Sequence, residues 1–284
     1  MRKQKTILTI FCTLCTLASL AQPKAITNKV GMEFILIQPG EMIVGKFQPP
    51  YLKPSDTVKS NKTNTSLIMW MPEDQRSYSA EEFKKAEVLA TYDASPGFKI
   101  KIEKPYYIGK FEVTQAQWRK VMGNNPSTFK GANDSNQRPV ESVRWNDVQS
   151  FLKKLNQLEK GKIYRLPTEF EWEYAARAGN TEDIAWTEIR AMAQLGNTTT
   201  LPVGGKRQNA WGLYDMLGNV WEWVEDFYNE KLFADPVPPK RGNEHVLKGA
   251  SFVGDVKNAT YFTHAAGPGN GWDVGFRVVL EVNK

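Results

Sequence analysis

Gly212-Leu213-Tyr214-Asp215-Met216-Leu217-Gly218-Asn219-Val220-Trp221-Glu222-Trp223 decides the fold of this 284-residue chain. Gly218-Asn219 is a turn signal, and the two tryptophans after it stand two apart on an apparent strand, so they point to one face and belong to a core. Asp215 and Glu222 flank the turn. Their hard oxygens and the nearby carbonyls either converge on one cation such as calcium, or cap turns and pair with arginine or lysine.

The stretch Arg165-Leu166-Pro167-Thr168-Glu169-Phe170-Glu171-Trp172-Glu173-Tyr174-Ala175-Ala176-Arg177 predicts a helix. Thr168 with Glu171 forms a capping box, Gly179 closes the segment, and Glu173 and Arg177 have the spacing of an ion pair. Glu169 and Glu173 share a face. Without a positioned partner, such a carboxylate pair reads as helix stabilisation rather than catalysis.

Working outward, Thr114 with Gln117 caps a helix that ends at Gly123. A second helix runs from about Asn146 to Lys160, with Val148, Phe151, Leu152, Leu155 and Leu158 on one face. Phe98–Ile102 and Tyr106–Val113 read as strands, and apolar runs on both sides of Pro39-Gly40 read as a β-hairpin. Residues 46–97 are polar and loop-like, apart from a short helix signalled by Ser79 and Glu82. A few helices followed by a long irregular β-rich half make an α+β domain, and nine Trp, ten Tyr and fourteen Phe suit an irregular fold held by aromatic packing.

The N-terminus reads as a secretory signal over residues 1–21. Arg2, Lys3 and Lys5 precede the apolar run Ile7–Leu20, and Ser19-Leu20-Ala21 offers a cleavage site. That run falls short of the ~20 residues of a bilayer span, so the expectation is an exported, periplasmic or secreted protein with no transmembrane segment after cleavage. Cys12 and Cys15 are the only cysteines and both lie in the signal, which leaves the mature domain thiol-free and without a disulfide. The net charge is +6. Because Lys and Arg are interspersed with Asp and Glu, this reads as a solvated basic surface and not as a nucleic-acid site.

Together the two stretches form a specific signature, joined by Val113-Thr114-Gln115-Ala116-Gln117-Trp118, Pro139-Val140-Glu141-Ser142-Val143-Arg144-Trp145 and Gly275-Phe276-Arg277-Val278. The chain resembles the formylglycine-generating, sulfatase-modifying-factor family. The resemblance implies a variant of the C-type lectin fold over about residues 27–284, interrupted by the 46–97 insertion. It also implies a calcium site with side chains from Asp215 and Glu222 and carbonyls from Gly218 and Val220.

Catalytic members of that family place two cysteines five apart, shortly after a Gly-Gly-Ser motif, to hold Cu(I). Aligning Lys248-Gly249-Ala250-Ser251-Phe252 with that motif puts Gly254 and Ala259 at those positions, so no copper is expected. With only His245 and His264, a three-histidine iron site cannot be assembled either. Tyr261, His264 and Trp272 remain as ligand-binding candidates. The sequence leaves two classes open: a non-catalytic binding or accessory protein for a glycan or an extracytoplasmic protein such as a sulfatase, or a periplasmic oxidoreductase-type or sulfatase-maturing enzyme working without the usual cysteine pair.

Overall fold

The computed structural model describes residues 25–44, 97–181, 186–232, 237–254, 259–261, 263–267 and 271–282. The expected signal segment, residues 46–96 of the expected insertion and the helix expected after Ser79 lie outside them. Two strands near the N-terminus, β1 (Ala25–Thr27) and β2 (Glu33–Ile37), share an antiparallel five-stranded sheet with β5 (Tyr106–Gly109), β6 (Tyr164–Arg165) and β11 (Val279–Glu281), in the order β1-β2-β5-β11-β6. A second sheet runs β10 (Val274–Gly275), β7 (Trp221–Phe227), β8 (His245–Lys248), β9 (His264–Ala266), with β10 parallel to β7. The strands β3 (Gly40–Val44) and β4 (Phe98–Ile102) pair by themselves.

This arrangement corrects the expected hairpin around Pro39-Gly40, because β2 and β3 enter different sheets. β2 pairs with β1 and β5 while β3 pairs with β4, and between them the chain passes close to Tyr174, where a Cβ on Gly40 would lie 2.0 Å from the hydroxyl.

The helices follow their sequence signals closely. For α1 (Gln115–Met122), the Thr114 hydroxyl accepts from Gln117 N–H, the Gln117 side chain accepts from Thr114 N–H, and Gly123 ends the helix at φ 80°. The next helix, α2 (Trp145–Leu158), buries Val148, Phe151, Leu152 and Leu155, whereas Leu158 stays exposed at the frayed end. In α3 (Glu169–Arg177), the Thr168–Glu171 capping box forms, and Ala178 rather than Gly179 takes the first left-handed position. A short α4 (Trp186–Met192) has no counterpart in the sequence reading.

The strand period of two explains how one sheet serves two cores. On β2, Phe34 enters one apolar cluster and Ile35 and Ile37 the other; near the C-terminus Val278 and Leu280 face the first and Val279 the second. The first cluster rests on α1 and α2, where the Trp118 and Phe151 rings stack at 5.2 Å and Phe276 meets both edge-on. The second gathers Trp172, Ile108, Leu217, Val224 and Ala259 under α3. Trp223 is buried as expected, while Trp221 is only partly covered.

The turn before β7 packs directly against main chain. Gly218 has φ 83°, and a Cβ there would sit 2.4 Å from the Gln194 carbonyl oxygen. Gly123 shares the left-handed conformation but has nothing within 4 Å of its virtual Cβ. Gly123→Ala should therefore cost only the backbone strain, about 1 kcal/mol in urea denaturation, whereas Gly218→Ala adds a clash with main chain and should cost at least about 2 kcal/mol more. Equal losses would show that the Gly218 turn is not built as described.

Candidate functional site

The signature turn folds onto a buried arginine. Parallel pairing sets Gly275 opposite Glu222, which brings the Gly275-Phe276-Arg277 segment alongside β7. The guanidinium of Arg277 then donates Nε to Glu222 Oε2 at 2.6 Å and Nη2 to Oε1 at 2.6 Å, while Nη1 reaches the Gly109 carbonyl and Nη2 those of Tyr214 and Asp215. Trp172 Nε1 donates a third bond to Glu222, at 2.7 Å. Both members of the pair are fully buried.

Asp215 and Glu112 complete this centre. The Asp215 oxygens accept from Gln194 Nε2 and Gly204 N–H, and those of Glu112 from Asn219 Nδ2 and Val220 N–H. Burial pushes Glu112 well above the usual carboxylate range, and the neighbouring Asp215 and Glu222 add to the shift. Three carboxyl groups thus surround one guanidinium, and burial raises all three above their ordinary values, Glu112 well above.

The calcium expectation for Asp215, Gly218, Val220 and Glu222 does not fit this geometry. Calcium takes six to eight oxygen ligands at 2.3–2.6 Å. Here all four carboxylate oxygens of Asp215 and Glu222 already accept N–H bonds, and a guanidinium stands where a cation would be repelled. Among the described residues no group of three or more His, Cys, Asp or Glu side chains is arranged to hold a metal ion.

Gly254 and Ala259, which the resemblance aligns with the family's cysteines, lie in different surroundings. Ala259 is fully buried in the second apolar cluster, and Gly254 is held by bonds of its N–H to Ser251 O and of Gly196 N–H to its carbonyl. Neither offers a soft ligand. Ser251, whose carbonyl accepts from Gly254 N–H, donates its hydroxyl to Asp273 at 2.8 Å, and the rings of Phe129, Phe252 and Trp272 form a mutual cluster with centroids 5.2–6.0 Å apart. Trp272 keeps 46% of its surface exposed.

The three ligand-binding candidates do not form one site. Trp272 belongs to the aromatic cluster just described. Tyr261 is buried against Arg177, whose guanidinium carbon lies 5.5 Å from the ring centroid. His264 on β9 lies 3.1 Å from Glu169 Oε1 and packs on Tyr228. A charge chain links Tyr261 and His264: Arg177 pairs with Glu173, and the buried Lys248 sits 3.5 Å from both Glu173 and Glu169. The expected Glu173–Arg177 pair is present, and Lys248 supplies the partner for both glutamates that the sequence reading lacked. His245 is a packed ring, stacked on Trp145 at 3.9 Å.

Asp226 adds a titrating group to this chain. It accepts from Glu169 N–H at 2.6 Å, and burial raises it to about 6. Because the folded value exceeds the unfolded one, the native state holds the extra proton between about pH 4 and 6, and stability falls as pH rises through that window. Asp226→Asn keeps an acceptor and removes the charge. It should flatten this fall and stabilise the protein by about 1–3 kcal/mol above pH 7, measured by thermal denaturation across pH. An unchanged pH slope would mean that Asp226 is solvated.

Comparisons with known proteins agree with this architecture. Residues 22–282 match the model of the sulfatase-modifying factor enzyme 1-like domain. The chain is 32% identical to the chaperone protein LppX of Paenibacillus barcinonensis, covering 61% of this chain and 79% of that protein, and 29% identical to the formylglycine-generating enzyme of Streptomyces coelicolor, covering 71% and 68%. It is also 31% identical to the inactive C-alpha-formylglycine-generating enzyme 2 of Mus musculus, over 50% of this chain and 45% of that protein. Treponema denticola variable protein 1 (TM-score 0.68, 24% identity, 92% of this chain and 100% of that one) and PvdO from Pseudomonas aeruginosa (TM-score 0.65, 21% identity, 92% and 99%) share the fold. With its signature turn, its buried arginine and both helical caps in place, the chain belongs to the sulfatase-modifying factor enzyme 1-like family.

Proposed function

We propose that the protein is an exported, non-catalytic member of this family that binds a partner outside the cytoplasm, with an extracytoplasmic protein client favoured over a glycan. The observation that carries this reading is the identity of Gly254 and Ala259. A copper-thiolate centre needs two soft ligands, and one position has no side chain while the other is a methyl group sealed in the core. A thiol at 259 would also have to displace packed apolar neighbours.

The scaffold around those positions is intact, and loops on a rigid frame are where binding residues concentrate. The half-exposed Trp272, backed by Phe129 and Phe252 and adjoining the Ser251–Asp273 hydrogen bond, is the recognition surface of this reading. A rigid aromatic anchor supported from behind is the type of residue that dominates interface energetics. Relatives named as a chaperone and as an inactive formylglycine-generating enzyme support a role without turnover. The signal-like segment at residues 1–21 supports export, and no helix among the described residues is long and apolar enough to cross a membrane.

Two measurements test the reading. Incubated with Cu(I) and a Cys-x-Pro-x-Arg peptide, the mature protein should yield no formylglycine by mass spectrometry; turnover would overturn the non-catalytic assignment. Added to a refolding sulfatase, it should slow aggregation, and Trp272→Ala should weaken the interaction by about 1–3 kcal/mol while melting normally. Undiminished binding by that variant would place the recognition surface elsewhere.

A further inference from the structure

A cavity of about 590 Å³ opens between the C-terminal end of α3, α4 and the 207–210 loop. This lies within the ~300–1,000 Å³ typical of small-molecule sites. Trp272 does not line it, so the cavity is distinct from the surface assigned to the partner.

Its walls are held in place by the protein itself. Asn209 donates to the carbonyls of Ala175 and Ala176 at the end of α3 and accepts from Trp211 and Leu213 N–H, which fixes the loop to the helix. Trp211 closes over Gly179. At the rim the exposed Arg207 pairs with Glu188, and the lining therefore carries two guanidinium groups and one carboxylate.

Two buried lining groups have donor capacity left over. Arg177 is 4% exposed; its Nε bonds to Glu173 Oε1, its Nη2 touches the same oxygen at 2.8 Å without an aligned hydrogen bond, and among the described residues its Nη1 donates to no protein acceptor. Tyr261 is 3% exposed, and among the described residues its hydroxyl has no hydrogen-bond partner. Burial raises the phenol to about 12, so the hydroxyl keeps its proton. A buried donor left without an acceptor is costly, as Arg177 Nη2 is, and an acceptor-only group in the cavity would satisfy it and accept from the Tyr261 hydroxyl as well.

We propose that this cavity binds a small oxyanion, a carboxylate or sulfate ester on a compact polar body such as a sugar, held by Arg177 and the Tyr261 hydroxyl with Arg207 at the mouth. A planar or tetrahedral oxyanion offers the guanidinium a charge-assisted bond and the phenol a second one. Met192, Ala178 and Ala210 supply the apolar wall for the body of the ligand.

The test is isothermal titration of the mature protein with sodium glucuronate and glucose 6-sulfate, against glucose and sodium chloride at matched ionic strength. At least one of the two anions should bind while glucose and chloride do not, and which one binds identifies the group. Tyr261→Phe should weaken that binding about tenfold and Ala210→Phe, at an exposed turn on the cavity wall, should abolish it, while Trp272→Ala leaves it unchanged. Because Ala210 lies outside the core, its variant remains informative if Tyr261→Phe folds poorly. Binding of neither anion, equal binding of glucose, or full affinity in both cavity variants would overturn the proposal.

Discussion

The ion pair between Arg277 and Glu222 is the interaction on which the rest of the structure depends. It joins the C-terminal segment to β7, to the end of β5 through Gly109, to the signature turn through Tyr214 and Asp215, and to α3 through Trp172. A buried pair is stabilising only where every remaining donor and acceptor is satisfied, because desolvation of the two charges is otherwise larger than their attraction. Here the guanidinium meets three backbone carbonyls besides the carboxylate. The signature turn is therefore an arginine socket, with Glu222 as the counter-ion of its guanidinium.

How much of this was legible in the sequence depended on the distance over which each signal acts. The helices α1, α2 and α3 were readable because caps and apolar periodicity are local, encoded within three or four residues of Thr114, Val148 and Thr168. The β2–β3 hairpin was misread because the signal at Pro39-Gly40 is the same for a hairpin and for a chain passing under Tyr174. The partners of Glu112 stand at Asn219 and Val220, more than one hundred residues away, and no pattern in the sequence announces that pairing. Lys248 was seen only as part of a motif, yet it joins Glu169 and Glu173 into one buried network. Tyr261, His264 and Trp272 lie within twelve residues of one another in sequence, and that proximity suggested a single site where the fold provides three environments.

Family membership fixes the scaffold but not the chemistry, since one fold supports unrelated activities through the residues mounted on it. Near Gly254 the frame presents the Phe129, Phe252 and Trp272 cluster, the surface on which the proposed binding role rests. The cavity at Arg177 and Tyr261 adds a second surface with a different preference, polar and anion-seeking where the Trp272 surface is apolar. A protein with both can engage a client and a small ligand at once, without either contact requiring a reactive side chain.

The most direct measurement is a double-mutant cycle on Glu222→Gln and Arg277→Met, followed by urea denaturation in calcium and again in a calcium chelator. If the signature turn is an arginine socket, each single change should cost about 3–5 kcal/mol, since it strands one buried partner, and the double change should cost clearly less than the sum. Wild-type stability should be the same in both media. Additive losses, or a wild-type protein that loses stability when calcium is withdrawn, would contradict the account and return Asp215 and Glu222 to a metal.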